Sequence, residues 1–156
     1  MADGNYEPPR APLQETEGPR KRPNLLAIVI GALVDFVSTM VSSLLLGIGY
    51  AVYAGASGVA MDQMQTQMAA SSVYTGISSM VGLGCSVLGG YVCARFANQN
   101  EYANGLAVGI IGVFTGELLG PAEADIWMHL LALATIPACV LGAHIKMRRD
   151  KAQAGA

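Results

Sequence analysis

Residues 25–53 form the segment that most restricts how this chain can fold. They contain no lysine, arginine or glutamate, and Asp35 is their only charged side chain. An apolar run of this length predicts a helix that crosses a lipid bilayer, because about 20 apolar residues suffice to span the hydrocarbon layer. A carboxyl group is costly in that environment, so Asp35 requires either an interaction partner or a function.

Three further apolar runs follow, and together the four runs predict an all-α polytopic membrane protein. The predicted transmembrane helices cover about residues 25–53, 71–94, 102–119 and 126–145. Short connections between four consecutive helices favour an up-down bundle, which we place at residues 25–146. The composition agrees, since only 13% of the residues are charged, whereas a soluble domain contains about 25%.

The segments outside the spans are polar, and their charges predict the orientation. Residues 1–24 hold five of the seven prolines and are expected to form a disordered tail, and residues 147–156 a short basic tail. All nine lysines and arginines lie in the N-terminal segment, in the second connection or in the C-terminal segment from Lys146 onward. Because basic segments stay on the cytoplasmic side, both termini are predicted to be cytoplasmic.

Small residues recur at helical spacing in the second and third spans. Such seams let helix backbones approach closely in lipid, where apolar side chains gain little by associating with each other. The spacing predicts that these two helices form the tight centre of the bundle, or that the seams bind a second copy or another membrane subunit. The predicted seam residues are Ser79, Gly82, Ser86, Gly89, Gly105, Gly109, Gly112 and Gly116.

Asp35 lies on the small, polar face of the first span and about ten residues from its start, which places it near the middle of the membrane. Counting inward from the same side in the other spans reaches Ser86 and Thr135. Pro137 cannot bond to the carbonyl of Leu133, so that oxygen is also free to accept a hydrogen bond. Two roles stay open for Asp35: a neutral acid that locks helices together, or a site that binds a proton or cation.

The connection between the first two spans contains three methionines at helical spacing, Met61, Met64 and Met68. Thioethers on one helical face are ligands that Cu(I) accepts, and His129 and Glu117 are predicted to lie near the same membrane surface. The alternative is an amphipathic turn at the membrane interface, with no metal. We expect the latter, because the methionine segment itself contains neither cysteine nor histidine.

Two short motifs carry a resemblance to known proteins. Residues 88–96 read LGGYVCARF, and residues 31–36 read GALVDF. With the C-terminal basic cluster, they resemble small four-helix inner-membrane proteins of bacteria that have no assigned activity. The resemblance covers residues 25–149 and implies a bacterial inner (plasma) membrane location. That family usually has alanine where this chain has Cys93. The chain is also similar in architecture to the small multidrug resistance transporters, which have an acid in the first of four helices.

Two functions from different classes follow from these observations. The first is a small structural or accessory membrane protein that packs with itself or with a partner subunit through the small-residue seams. The second is a proton-coupled small transporter that uses Asp35. No enzymatic activity, cofactor or nucleic-acid partner is expected, because the sequence has no catalytic or phosphate-binding motif. The lipid bilayer is the one partner that the composition requires.

Overall fold

A computed structural model describes residues 23–97, 99–119 and 126–155. These residues form five helices and no strand. Four of the helices are long and apolar enough to cross a membrane, which confirms the predicted all-α fold with four membrane-spanning helices. The helices are α1 (Leu25–Ala56), α2 (Met61–Ala70), α3 (Ser72–Ala97), α4 (Glu101–Leu119) and α5 (Ile126–Ala154).

The helix ends differ from the predicted spans mainly because three of the long helices continue further, to Ala56, Ala97 and Ala154. The side chain of Asn24 accepts a hydrogen bond from the backbone N–H of Ala27 and thereby caps α1. Helix α5 runs on to Ala154, so most of the predicted basic tail is helical. An ion pair between Lys146 and Asp150, one turn apart at 2.6 Å, supports this extension. Most of the predicted N-terminal tail, residues 1–22, lies outside the described residues.

The four long helices form an up-down bundle in which neighbouring ends meet. The backbone N–H of Asn24 bonds to Asn104 at the start of α4, and the rings of Tyr50 and Tyr74 meet where α1 ends and α3 begins. In the described part of the chain α3 and α4 each contact the other three long helices, whereas α1 does not contact α5. The bundle is therefore a rhombus with α3 and α4 across its short diagonal.

The two ends of the bundle carry different charges. We call one end the basic end; it combines the starts of α1 and α4 with the ends of α3 and α5, and it contains Arg95 and Lys146. The opposite end, called the acidic end, contains Asp62 and Glu117, and no lysine or arginine lies there among the described residues. The main core lies toward the basic end and is built from small side chains. It comprises Ala27, Ile28, Cys93, Ala97, Val108 and Cys139.

The closest backbone contact joins α3 to α5. A Cβ atom added to Gly90 would overlap the carbonyl group of Cys139, and one added to Gly142 would overlap the carbonyl of Val87. Both positions therefore require glycine for the two backbones to touch. Neither glycine belongs to the predicted seams, because the α3 seam was drawn through Gly89 and no seam was predicted in the fourth span.

The two central helices, α3 and α4, are the ones that carry the predicted seams. However, the two seams do not pack against each other. The α3 seam faces α1, since a Cβ on Gly89 would lie 2.7 Å from the Cβ of Asp35. The α4 seam faces α5, with Gly105 against Ala143, Gly109 against Ile136 and Gly112 against Thr135. The spacing of small residues thus defines a face of each helix but not the helix that covers it.

The seams are also shorter than predicted. A Cβ atom on Gly82 or on Gly116 would meet no atom within 4 Å. The Ser79 hydroxyl donates to the carbonyl of Thr75 in its own helix, at 2.8 Å. Helix packing is thus close in the basic half of the bundle and open in the acidic half.

Candidate functional site

Asp35 lies where α1 approaches α3 most closely. Only 8% of the Asp35 surface is exposed. Two glycines make this approach possible, because a Cβ on Gly31 would lie 2.5 Å from the Cβ of Cys93, and Gly89 lies directly beneath Asp35. The small face predicted from the sequence of α1 thus holds Asp35 inside the bundle.

The carboxyl of Asp35 is hydrogen-bonded to Ser86. The Ser86 hydroxyl donates to Asp35 Oδ1 at 3.1 Å, and the same hydroxyl lies 3.2 Å from the carbonyl oxygen of Gly82. A hydroxyl carries one hydrogen and two lone pairs, so Ser86 has two ways to satisfy this arrangement. It donates to an ionised Asp35, or it accepts from a protonated Asp35 and donates to Gly82.

A cavity of about 380 Å³ adjoins the carboxyl. On α1 it extends from Ala32 and Asp35 to Met40, and on α4 it reaches Leu119, so it runs from the middle of the bundle toward the acidic end. The main core closes the bundle on the other side of Asp35. The lining residues are Ala32, Asp35, Phe36, Thr39, Met40, Gly82, Ser86, Ile111, Gly112, Thr115, Gly116, Leu119 and Thr135.

Of the four residues proposed as an intramembrane polar site, the structure brings three together. Asp35, Ser86 and Thr135 all line the cavity. Asp35 Oδ2 and Thr135 Cγ2 lie 3.4 and 3.1 Å from the point that a Gly112 Cβ would occupy. Leu133 does not line the cavity and is 53% exposed. Among the described residues, Ser86 alone is hydrogen-bonded to the Asp35 carboxyl, so the structure does not bring the Leu133 carbonyl to it.

The methionines and the other proposed copper ligands lie on different helices that do not meet. Met61 is 84% exposed, whereas Met64 and Met68 are half-buried in α2. Helix α2 contacts α1 and α3 but neither α4 nor α5 over the described ranges. His129 Nδ1 instead lies 2.8 Å from Glu117 Oε1, at the acidic ends of α4 and α5. No group of three or more histidine, cysteine or acidic residues suited to a metal ion occurs within the described residues.

A buried asparagine that sequence reasoning missed links three helices at the basic end. Asn104 is fully buried; its Oδ1 accepts from the Asn24 backbone N–H at 3.1 Å, and its Nδ2 donates to the Gln99 carbonyl at 3.0 Å. The Asn24 side chain also donates to the carbonyl of Phe96. The available signal was an amide side chain one turn inside an apolar helix, at the depth where α1 begins.

A second cavity, of about 430 Å³, lies between α1 and α3 at the acidic end. Three tyrosines contribute to its walls, and the ring of Tyr50 meets that of Tyr74 edge-on with centroids 5.3 Å apart. Tyr53 lies beside Tyr50. No charged side chain lines this cavity among the described residues, and tyrosines at a helix end are typical of the membrane interface.

Comparison with known protein families, curated proteins and solved structures gave no match to this chain. The chain is a small integral membrane protein by its four apolar helices. Its more specific role has to be argued from the cavity and from Asp35.

Proposed function

We propose that this protein is a small proton-coupled transporter in which Asp35 takes up and releases a proton. The observation that carries the proposal is the cavity that connects this buried carboxyl with one end of the bundle. Acidic side chains within membrane spans commonly serve proton or ion pathways. The sequence alone favoured the accessory role over the transporter. The cavity favours the transporter, because a carboxyl group with a purely structural role needs no open space beside it.

The hydrogen bonds around Asp35 support a proton site. Ser86 can satisfy both the ionised and the protonated carboxyl by turning its hydroxyl hydrogen between Asp35 and Gly82. In either protonation state of Asp35, one hydroxyl hydrogen is available for the hydrogen bond between Asp35 and Ser86. The carboxyl can therefore change its protonation state while the three groups keep their positions.

The shape of the bundle supports access from one side. The cavity runs toward the acidic end, where Gly82 and Gly116 leave open space. On the other side, the core and the hydrogen bonds of Asn104 close the bundle. A transport cycle would expose Asp35 alternately to the two sides, and the arrangement seen here corresponds to access from the acidic end.

Proton flux into liposomes that contain the purified protein tests the proposal. A pH-sensitive dye inside the liposomes should report flux under a membrane potential, and Asp35→Asn should lower its rate by about tenfold or more. Asp62→Asn makes the same chemical change at an exposed position on α2 and should leave the rate unchanged. Equal rates for Asp35→Asn and the native protein, with both folded, would refute the proposed role of Asp35.

A second function, packing with another copy or with a partner subunit, is favoured by the open glycines. A Cβ atom added to Gly76 or Gly84, both exposed on α3, would meet no atom within 4 Å, and small residues let a second helix approach closely in lipid. Photobleaching of labelled protein in native membranes would count its copies. A Gly84→Leu variant should reduce association if this face is the interface, and purification from native membranes would identify a different partner.

The orientation and the location are proposed on the distribution of charges. The basic end holds every lysine and arginine of the described residues, so we place it, with both termini, on the cytoplasmic side. The resemblance found in the sequence motifs supports a bacterial inner membrane. We propose no enzymatic activity, since the described residues that line the cavity include no histidine, cysteine or lysine.

A further inference from the structure

We propose that the cavity beside Asp35 is a binding site for a monovalent alkali-metal cation, with Na⁺ as the ion to be tested. The proposal rests on the proposed function, because it assigns a second occupant to the carboxyl that binds the proton.

The chemistry of the lining selects a cation that prefers oxygen. Among the described residues, the polar side chains that line this cavity are one carboxyl and four hydroxyl groups. All four long helices contribute to this set. Oxygen ligands suit hard cations, whereas copper or zinc would require sulfur or imidazole groups. The five oxygen-bearing residues are Asp35, Thr39, Ser86, Thr115 and Thr135.

The charge of the lining limits the cation to one positive charge. Asp35 is the sole charged residue among the lining residues that the structure describes. A monovalent cation bound there gives a neutral pair, and hydroxyl dipoles complete its coordination. A divalent cation would keep a net charge in an environment of low polarity, which is strongly unfavourable.

One oxygen of Asp35 is free for this purpose. Ser86 donates to Oδ1, while Oδ2 has no hydrogen-bond partner among the described residues and faces Gly112. The missing side chain of Gly112 leaves open the point that lies 3.4 Å from Oδ2 and 3.1 Å from the methyl group of Thr135. The space that this glycine provides therefore lies between Asp35 Oδ2 and the side chain of Thr135, and a rotation about the Thr135 Cα–Cβ bond would turn its hydroxyl, in place of its methyl group, toward an ion at Asp35.

The size of the cavity allows the ion to arrive with water. A water molecule occupies about 30 Å³ in the liquid, so a cavity of about 380 Å³ holds a partly hydrated ion. Sodium can then exchange its water ligands for the hydroxyls one at a time as it moves from the acidic end toward Asp35. The apolar walls from Phe36 and Ile111 contribute no competing ligand.

Binding of ²²Na⁺ to the purified protein in detergent tests this inference without any transport assay. Saturable binding of one ion per chain is expected, and Asp35→Asn should abolish it. Thr135→Val and Gly112→Ala should each weaken it several-fold, the first by removing the hydroxyl that can turn toward the ion and the second by filling the space beside Oδ2. The matched controls, Thr75→Val and Gly84→Ala, change exposed positions on α3 that do not line the cavity and should leave binding unchanged.

The outcomes separate this inference from the proposed function. Absence of saturable binding in the native protein would overturn the sodium site, and so would binding that persists in Asp35→Asn or that Thr135→Val and Gly112→Ala leave unchanged. Proton flux without sodium binding would overturn the site and leave Asp35 as a proton carrier. Sodium binding without proton flux would overturn the transporter and leave the site. Should Asp35→Asn fail to fold, the Gly112→Ala and Thr135→Val variants still decide the question.

Discussion

The contact between α3 and α5 allows the sharpest prediction about stability. In Gly90→Ala, the new methyl group would overlap the carbonyl oxygen of Cys139 and lie 2.7 Å from its Cα, whereas ordinary contacts are 3.4–4 Å. The obstructing atoms are backbone and cannot rotate away. Helices α3 and α5 must therefore separate by about 1 Å, and the opposite contact of Gly142 with Val87 loosens at the same time.

The magnitude follows from two opposing effects. Overpacking of this kind costs about 1–3 kcal/mol, and we take about 3 because the backbone must move. Alanine recovers about 1 kcal/mol through its higher helix propensity. Gly90→Ala should thus lower the free energy of unfolding by about 2 kcal/mol. Gly84→Ala, on the same helix with no atom within 4 Å of the new methyl group, should instead raise it by up to about 1 kcal/mol.

Reversible unfolding in mixed micelles, followed by circular dichroism, measures both variants against the native protein. The opposite signs of the two substitutions provide the control, because helix propensity is the same in each. If Gly90→Ala is as stable as Gly84→Ala, the close contact between α3 and α5 does not exist in the membrane-embedded protein. The rhombic arrangement of the helices would then be incorrect.

Three further predictions concern the polar contacts and the orientation. Asn104→Leu leaves the Asn24 backbone N–H without its partner and should cost about 1–3 kcal/mol in the same unfolding assay; a neutral effect would mean that water replaces the amide. Ser86→Ala removes the hydrogen bond to Asp35 and should cost about 0.5–1.5 kcal/mol, whereas unchanged stability would mean that the bond contributes nothing. A cysteine at Gln65, with the three native cysteines replaced by alanine, should react with an impermeant maleimide in intact cells; labelling only after lysis would reverse the orientation.

The spans were predictable from the sequence because hydropathy and length reflect the bilayer directly. Asp35 and Ser86 could also be paired, since each residue along a helix advances about 1.5 Å and counting from the membrane surface gives depth. Depth alone does not give the direction around the helix axis. Thr135 and Leu133 lie two positions apart in α5, yet Thr135 lines the cavity and Leu133 is largely exposed.

The partners of the small-residue seams could not be predicted for a related reason. A repeat of glycines and serines defines one face of a helix, but every helix of a rhombic bundle has several neighbours. The pair Gly90 and Gly142 determines the α3–α5 contact. Both belong to runs of small residues four positions apart that the predicted seams did not follow, namely Ser78, Gly82, Ser86, Gly90 and Ala94 in α3 and Ala134, Ala138 and Gly142 in α5. Asn104 was missed because asparagine near a helix start is usually explained as a cap or an exposed residue.

Because α1 is synthesised before α3, the hydrogen bond between these two helices also bears on how the chain inserts into the membrane. Helix α1 packs on α3 and α4 and does not contact α5 within the described residues. Asp35 and Ser86 are separated by 51 positions, so the acid acquires its partner as soon as the second span enters the membrane. We therefore expect a chain that ends after α3 to retain α1 in the bilayer, and Ser86→Ala to reduce insertion in that truncated form. The last span is then added to a three-helix assembly in which the acid is already sheltered from lipid.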